Sequence, residues 1–152
     1  MNVDDNNISY RNISVGLVDD HVLLRRGLAS MLENKGMKIT LQADNGQQLV
    51  DHWAEQESPQ VMLVDVNMPV MDGYATAKWL RQHHPEVKIL ALSVIDDAEA
   101  VRKMIANGAD GYVLKDAHPQ ALVNAVETVF EKGFFLSDQL NRSLIAGAQG
   151  SG

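Results

Sequence analysis

The feature that most constrains this chain is a rhythm of short apolar runs, each ending in a polar residue and separated by stretches with helical spacing. "VGLV" (15–18), "VMLV" (61–64), "ILALS" (89–93) and "YVLK" (112–115) are too short for typical helices, and none alternates polar with apolar. Unbroken runs of this length suit strands buried on both faces of a parallel sheet. "MKITLQA" (37–43) alternates better, which places it nearer an edge. In 21–34, Leu24, Leu28, Met31 and Leu32 fall at i, i+4, i+7 and i+8. In 119–132, Leu122, Ala125, Val126, Val129 and Phe130 fall at i, i+3, i+4, i+7 and i+8. Each pattern lays one apolar stripe on a sheet. Residues 46–56 and 97–107 carry shorter versions and 74–83 the least periodic one. Gly36, Pro59, Pro85, Gly108 and Gly133 supply the stops.

Five strand–helix units in succession predict an α/β fold, a parallel sheet with helices on both faces and right-handed crossovers. Ligands of such sheets bind beyond the C-terminal strand ends. Asp19-Asp20, Asp65, Ser93 and Lys115 stand there. Three carboxylates at one edge repel, raising at least one pKa unless a cation sits among them. Hard oxygen donors suit Mg2+. A divalent ion, an ammonium and a hydroxyl around one carboxylate suit a phosphoryl group, with the carboxylate as nucleophile. Singly, each residue has a plainer reading: Asp19-Asp20 precedes a helical pattern and reads equally as an N-cap. The conjunction at four strand ends is what capping alone does not produce.

Composition narrows the classes. The 152 residues are enough for one domain with a proper core. Thirteen Lys and Arg against 20 Asp and Glu leave −7, which argues against this domain neutralising nucleic-acid phosphates or an anionic membrane. Without cysteine there are no disulfides, thiolate metal sites or Cys nucleophile, and a cytoplasmic location is expected. No segment approaches the roughly 18 consecutive apolar residues of a membrane span. Residues 1–11 read as a disordered lead-in, 12–135 as the folded domain, and 136–152 as a short C-terminal helix or linker.

Asp19-Asp20, "VDVNMPVMDG", Ser93 after "ILAL" and "GYVLKD" together resemble the receiver domain of two-component response regulators, over about residues 13 to 133. "GLVDDHVLLRRGLASML" and "GFFLSDQLNRSLIAGA" are most like the subfamily with a C-terminal helix-turn-helix output domain (NarL/FixJ/LuxR type). The resemblance implies a flavodoxin-like, doubly wound five-stranded parallel sheet of order 2-1-3-4-5. By the family pattern Asp65 accepts a phosphoryl group from a sensor histidine kinase, with Mg2+ or Mn2+. The ion is held by Asp20, Asp65 and the backbone carbonyl of Asn67, with Asp19 acting through water. Lys115 and Ser93 contact the phosphate, and Ser93 couples to Tyr112, which turns inward on activation. The positions that tune hydrolysis in the family are Asn67 and Ile95. Ile95 cannot orient a water, so a long-lived aspartyl phosphate is expected.

The resemblance also implies a phosphorylation-dependent homodimer and transcriptional output through a domain that these residues do not include. One alternative is a stand-alone receiver acting through protein contacts. Another is an aspartate-nucleophile phosphatase, which needs a second Asp where this chain has Asn67; a receiver is not a turnover enzyme. Val94, larger than is usual after the Ser position, is expected to narrow access. Pro69 and Gly73 read as bracing for the loop beside Asp65, and Asp72-Gly73 as the start of the third helix. Met68 and Met71 read as gap-fillers, Asp96-Asp97 as a helix start and His83-His84 as helix-end caps, while His21, beside Asp20 and so a candidate ligand, reads rather as a first-turn helix residue facing solvent.

Overall fold

The structure, a computed structural model, describes residues 12–55, 57–94 and 97–150. The expected lead-in 1–11 and Ile95 lie outside the described residues. The strands are β1 Ser14–Val18, β2 Lys38–Ala43, β3 Val61–Asp65, β4 Lys88–Ser93, β5 Gly111–Leu114 and β6 Phe135–Leu136. The helices are α1 Val22–Asn34, α2 Gly46–His52, α3 Gly73–His83, α4 Ala98–Ala106, α5 Pro119–Lys132 and α6 Asp138–Gly150. A 3-10 turn, Trp53–Glu55, extends α2.

All strands pair in parallel, in the order β2-β1-β3-β4-β5-β6. From β1 the chain steps outward to β2, then returns past β1 to build the rest. Strand order therefore reverses between β1 and β3, and the crevice of a doubly wound sheet opens at their C-terminal ends. The flavodoxin-like class is as expected, but the sheet has six strands where five were expected. Gly133 ends α5 in the left-handed conformation (φ 87°) and turns the chain back, and Phe135 N donates to Asp110 O at 3.1 Å. A Cβ on Gly111 would stand 2.5 Å from Phe135 O, so only glycine lets β6 approach β5. Two residues are too few to leave a periodicity in the sequence.

The sheet divides the core in two. On one face α1 and α5 bury Leu32, Val123, Val126 and Val129 against Val15, Leu17, Leu63 and Leu90. On the other, α2, α3 and α4 contribute Leu49, Leu80 and Met104 over Val64, Ile89 and Tyr112, and α6 adds Leu140. α6 packs against α4, and Leu140 is 1% exposed. The stretch 136–152, expected to be a short helix or linker, thus places Leu136 in β6 and Leu140 in the core.

In α1 the expected stripe shifts at its first turn: Leu24 is largely outside, and Arg25 is buried instead. Here the helix crosses the ends of β1 and β2, where main-chain carbonyls need donors that leucine lacks. His83-His84 do sit at the end of α3. His84 stacks on Trp53 with ring centroids 4.4 Å apart, and His83 Nδ1 donates to Trp79 O at 2.9 Å.

Candidate functional site

Asp65 is the last residue of β3, held opposite Leu92 of β4 and only 4% exposed. Asp19 and Asp20 follow β1; Asp19 is buried and the Asp20 side chain is about a third exposed. Lys115, one residue past β5, reaches back so that its Nζ lies 2.9 Å from Asp19 Oδ2 and 3.3 Å from Asp65 Oδ1. Its main-chain N–H donates to Ser93 O at 2.7 Å, lacing the ends of β4 and β5 together. Ser93 is buried, and its side chain hydrogen-bonds to Tyr112. Tyr112 is fully buried, its ring inside the sheet's core. The polar residues expected at the strand ends are therefore brought to one edge.

Capping does not explain the acidic pair. α1 is preceded by His21, which makes no side-chain cap bond. Asp19 Oδ1 accepts from the His21 main-chain N–H at 2.8 Å, in a turn rather than a cap. Asp20 Oδ1 and Asp65 Oδ2 are buried and accept no hydrogen bond, and Asp19 Oδ2 has the Lys115 ammonium beside it. Burial, with the Asp19 carboxylate next to it, pushes the Asp65 carboxyl up to about 7, against the pull of Lys115. One ammonium among three carboxylates leaves negative charge over, and oxygens without donors are what a hard divalent cation satisfies. The residues present fit such an ion.

The loop after Asp65 is built from close approaches. Gly73 N donates to Val66 O at 2.8 Å, and a Cβ on Gly73 would fall 2.3 Å from Asp65 O. Glycine is required here by proximity, since its φ is not among the positive ones. Met71 N donates to Pro69 O at 2.7 Å across Val70, whose φ of 69° closes a tight turn in a conformation that a branched residue resists. Asp72 caps α3 by accepting from Ala75 N at 3.0 Å, as "MDG" suggested. Met71 O accepts from Gly46 N at 3.2 Å, tying the loop to α2. Asn67 is exposed at the lip, and so is Val94 at 73%, with its side chain in solvent rather than across the site.

Arg25 escaped the sequence reading, and His21 is placed differently from its expectation. Arg25 donates from Nη1 to Asp19 O (2.7 Å), Ala43 O (3.0 Å) and Asp44 Oδ1 (2.6 Å), and from Nε to Gln42 Oε1 (3.1 Å). Its spacing placed it on the outer side of a leucine stripe; the signal was a cation one turn after an acidic pair. His21, expected to face solvent, has an exposed ring whose Nδ1 nevertheless lies 3.1 Å from Asp19 Oδ1 and 2.8 Å from Lys115 Nζ. Adjacency to Asp20 was the signal.

Comparison with known proteins agrees with this geometry. Residues 15–127 match the family model for the response regulator receiver domain. The chain is 32% identical over 139 residues to the transcriptional regulatory protein DegU of Brevibacillus brevis, covering 91% of this chain and 58% of that protein. It is 35% identical over 131 residues to the nitrate/nitrite response regulator protein NarP of Escherichia coli (strain K12), covering 86% and 60%. The chain thus spans about three-fifths of the length of these curated relatives. A two-component response regulator of the LuxR family from Aurantimonas sp. SI85-9A1 superposes with a TM-score of 0.82 over 90% of this chain and 98% of that one, at 23% identity, a likeness of fold. Among the described residues no helix is long and apolar enough to cross a membrane. With the family model covering most of the chain and the acidic strand ends in place, the chain belongs to the response regulator receiver domain family.

Proposed function

We propose that Asp65 is the phosphoryl acceptor of this receiver domain. The observation that carries the reading is a buried carboxylate at the end of a central strand. One of its oxygens faces the Lys115 ammonium and the other has no donor, with Asp19 and Asp20 alongside. Receiver domains interact with histidine kinases and bind Mg2+ at an acidic pocket. Here Asp20, Asp65 and the Asn67 carbonyl would hold the ion, with Asp19 acting through water. When bound, the ion offsets negative charge on the phosphoryl oxygens.

The chain's own residues do the rest. A carboxylate oxygen of Asp65 attacks phosphorus in line, a P–O bond forms, the P–N bond of the donor phosphohistidine breaks, and the ring, already protonated on its other nitrogen, leaves as neutral imidazole. Lys115, 3.3 Å from Asp65 Oδ1, neutralises oxygen charge, and Ser93 donates its hydroxyl. Because Ser93 is tied to Tyr112, a change at Asp65 reaches β5 and the face built with α4 and α5. Tyr112 is fully buried, which supports its reading as the switch partner of Ser93.

The output is a conformation, without turnover of a substrate. Read through its relatives, residues 12–135 are the regulatory part of a cytoplasmic transcriptional regulator whose phosphorylation promotes homodimerisation, with DNA bound by a separate output domain. Asn67 and Ile95 then set how long the phosphoryl group lasts.

Incubating the chain with Mg2+ and acetyl phosphate tests the core of this. The expected result is a mass increase of about 80 Da, one phosphoryl group, absent in Asp65→Asn and slowed in Lys115→Ala. An adduct that persists in Asp65→Asn would place the acceptor elsewhere.

A further inference from the structure

One nitrogen donor stands at the mouth of an otherwise all-oxygen site. We propose that His21 is a direct ligand of the divalent ion held by the acidic pocket, biasing the site toward ions that accept imidazole, such as Mn2+, Co2+ and Zn2+, relative to Mg2+. The inference rests on the reading of Asp19, Asp20 and Asp65 as an ion site, and adds a ligand and a metal preference to it.

Placement comes first. The His21 main-chain N–H is fixed on Asp19 Oδ1 at 2.8 Å, and its Nδ1 lies 3.1 Å from the same oxygen and 3.9 Å from Asp20 Oδ1. One donor atom from each of Asp19, Asp20, His21 and Asp65 falls within 4.8 Å of all the others. Bonds of about 2.1 Å in an octahedral shell put adjacent ligands about 3 Å apart and opposite ones about 4.2 Å apart. The spacing suits one shared ion.

Proton accounting comes second. Lys115 Nζ is 2.8 Å from His21 Nδ1, and an ammonium only donates. If Nδ1 accepts from Lys115, its lone pair and Asp19 Oδ1 are two acceptors in contact at 3.1 Å. If Nδ1 carries a proton for Asp19, that proton opposes the ammonium. An ion taking the Nδ1 lone pair would displace the Lys115 contact and leave the ammonium to the Asp19 and Asp65 carboxylates, at 2.9 and 3.3 Å. The donorless Asp20 Oδ1 and Asp65 Oδ2 point to the same missing positive charge.

Chemistry then sets the preference. Carboxylates and carbonyls serve Mg2+ well, and Mg2+ gives up water reluctantly. An imidazole nitrogen adds affinity mainly for Mn2+, Co2+ and Zn2+. Substitution disturbs little packing, because the His21 ring is 61% exposed.

The test uses Mn2+ as probe on the purified chain. Electron spin echo envelope modulation is expected to show nitrogen-14 coupling from a bonded imidazole, and His21→Ala is expected to abolish it. Calorimetric titration is expected to show Mn2+ binding weakened about tenfold or more in His21→Ala, with Mg2+ binding within about threefold of wild type. Mn2+ bound without nitrogen coupling, or with coupling that survives His21→Ala, overturns the proposal and leaves the carboxylate site standing. Equal losses for Mn2+ and Mg2+ overturn the metal preference. No Mn2+ binding at all overturns the ion site itself.

Discussion

Arg25 Nη1 sits 2.7 Å from the main-chain oxygen of Asp19, so a buried guanidinium grips the strand end from which the acidic pair projects. Arg25→Met keeps the packing volume but takes the guanidinium from the Asp19 carbonyl and leaves Ala43 O with only the Asp19 N–H. It is expected to cost about 2–4 kcal/mol in urea unfolding and to weaken Mg2+ binding as the end of β1 loosens. A variant with wild-type stability and ion affinity would show that the grip is dispensable.

Asp44 is the outer partner of that guanidinium, which holds its carboxyl below the usual carboxylate range. A depressed folded-state pKa gives stability that is present above the unfolded value of 3.8 and is lost as pH falls through the lower folded one. Asp44→Asn is therefore expected to be less stable than wild type at pH 7. The gap should close in acid when unfolding is followed from pH 7 to pH 2.

Asp65 titrates with the opposite sign. Its folded-state pKa, about 7, stands above the unfolded 3.8, so the metal-free native state binds the extra proton. That contribution is full below 3.8 and is lost as pH rises through 7. In EDTA, Asp65→Asn should gain on wild type as pH climbs from 5 to 8, read as a difference in Tm, and Mg2+ should narrow the gap. The rate of phosphorylation by acetyl phosphate at low Mg2+ should rise across the same interval, as the nucleophile ionises. A flat Tm difference would contradict this.

Gly73→Ala puts a methyl where Asp65 O stands at 2.3 Å and Val66 Cα at 2.7 Å. Backbone, not a flexible side chain, has to move. The expected loss is about 1–3 kcal/mol of stability, with phosphorylation slowed more than in any surface control on α3.

Val70 offers the converse. Its side chain is 81% exposed, so Val70→Gly gives up little packing while relieving the left-handed backbone. A gain of about 0.5–1 kcal/mol is expected, the strain relief of about 1–2 less the entropy of a glycine. Thermal unfolding measures it directly.

How much of this was legible in the residues varies by element. The central strands and the site were, because an unbroken apolar run can end only where polar side chains can tolerate the edge, and four such ends carried complementary chemistry. β6 was not, since its cause is the missing side chain of Gly111 on a neighbouring strand. Arg25 was not, because periodicity counts it as polar and outward, while its burial follows from carbonyls contributed by Asp19 and Ala43. The loop read as bracing is braced by distance rather than by glycine's torsional freedom. Ser93 and Tyr112 were legible as a pair only through family likeness; their shared hydrogen bond is a fact of three dimensions.

Leu140, seated in the same core as Tyr112, makes α6 a rod pinned near its base. Its 13 residues extend about 20 Å at 1.5 Å each. Tilting such a rod by about 10° at the pin sweeps its far tip through roughly 3 Å. A shift of the core at that pin too small to alter the outline of the sheet would thereby be magnified into a displacement as large as a contact distance.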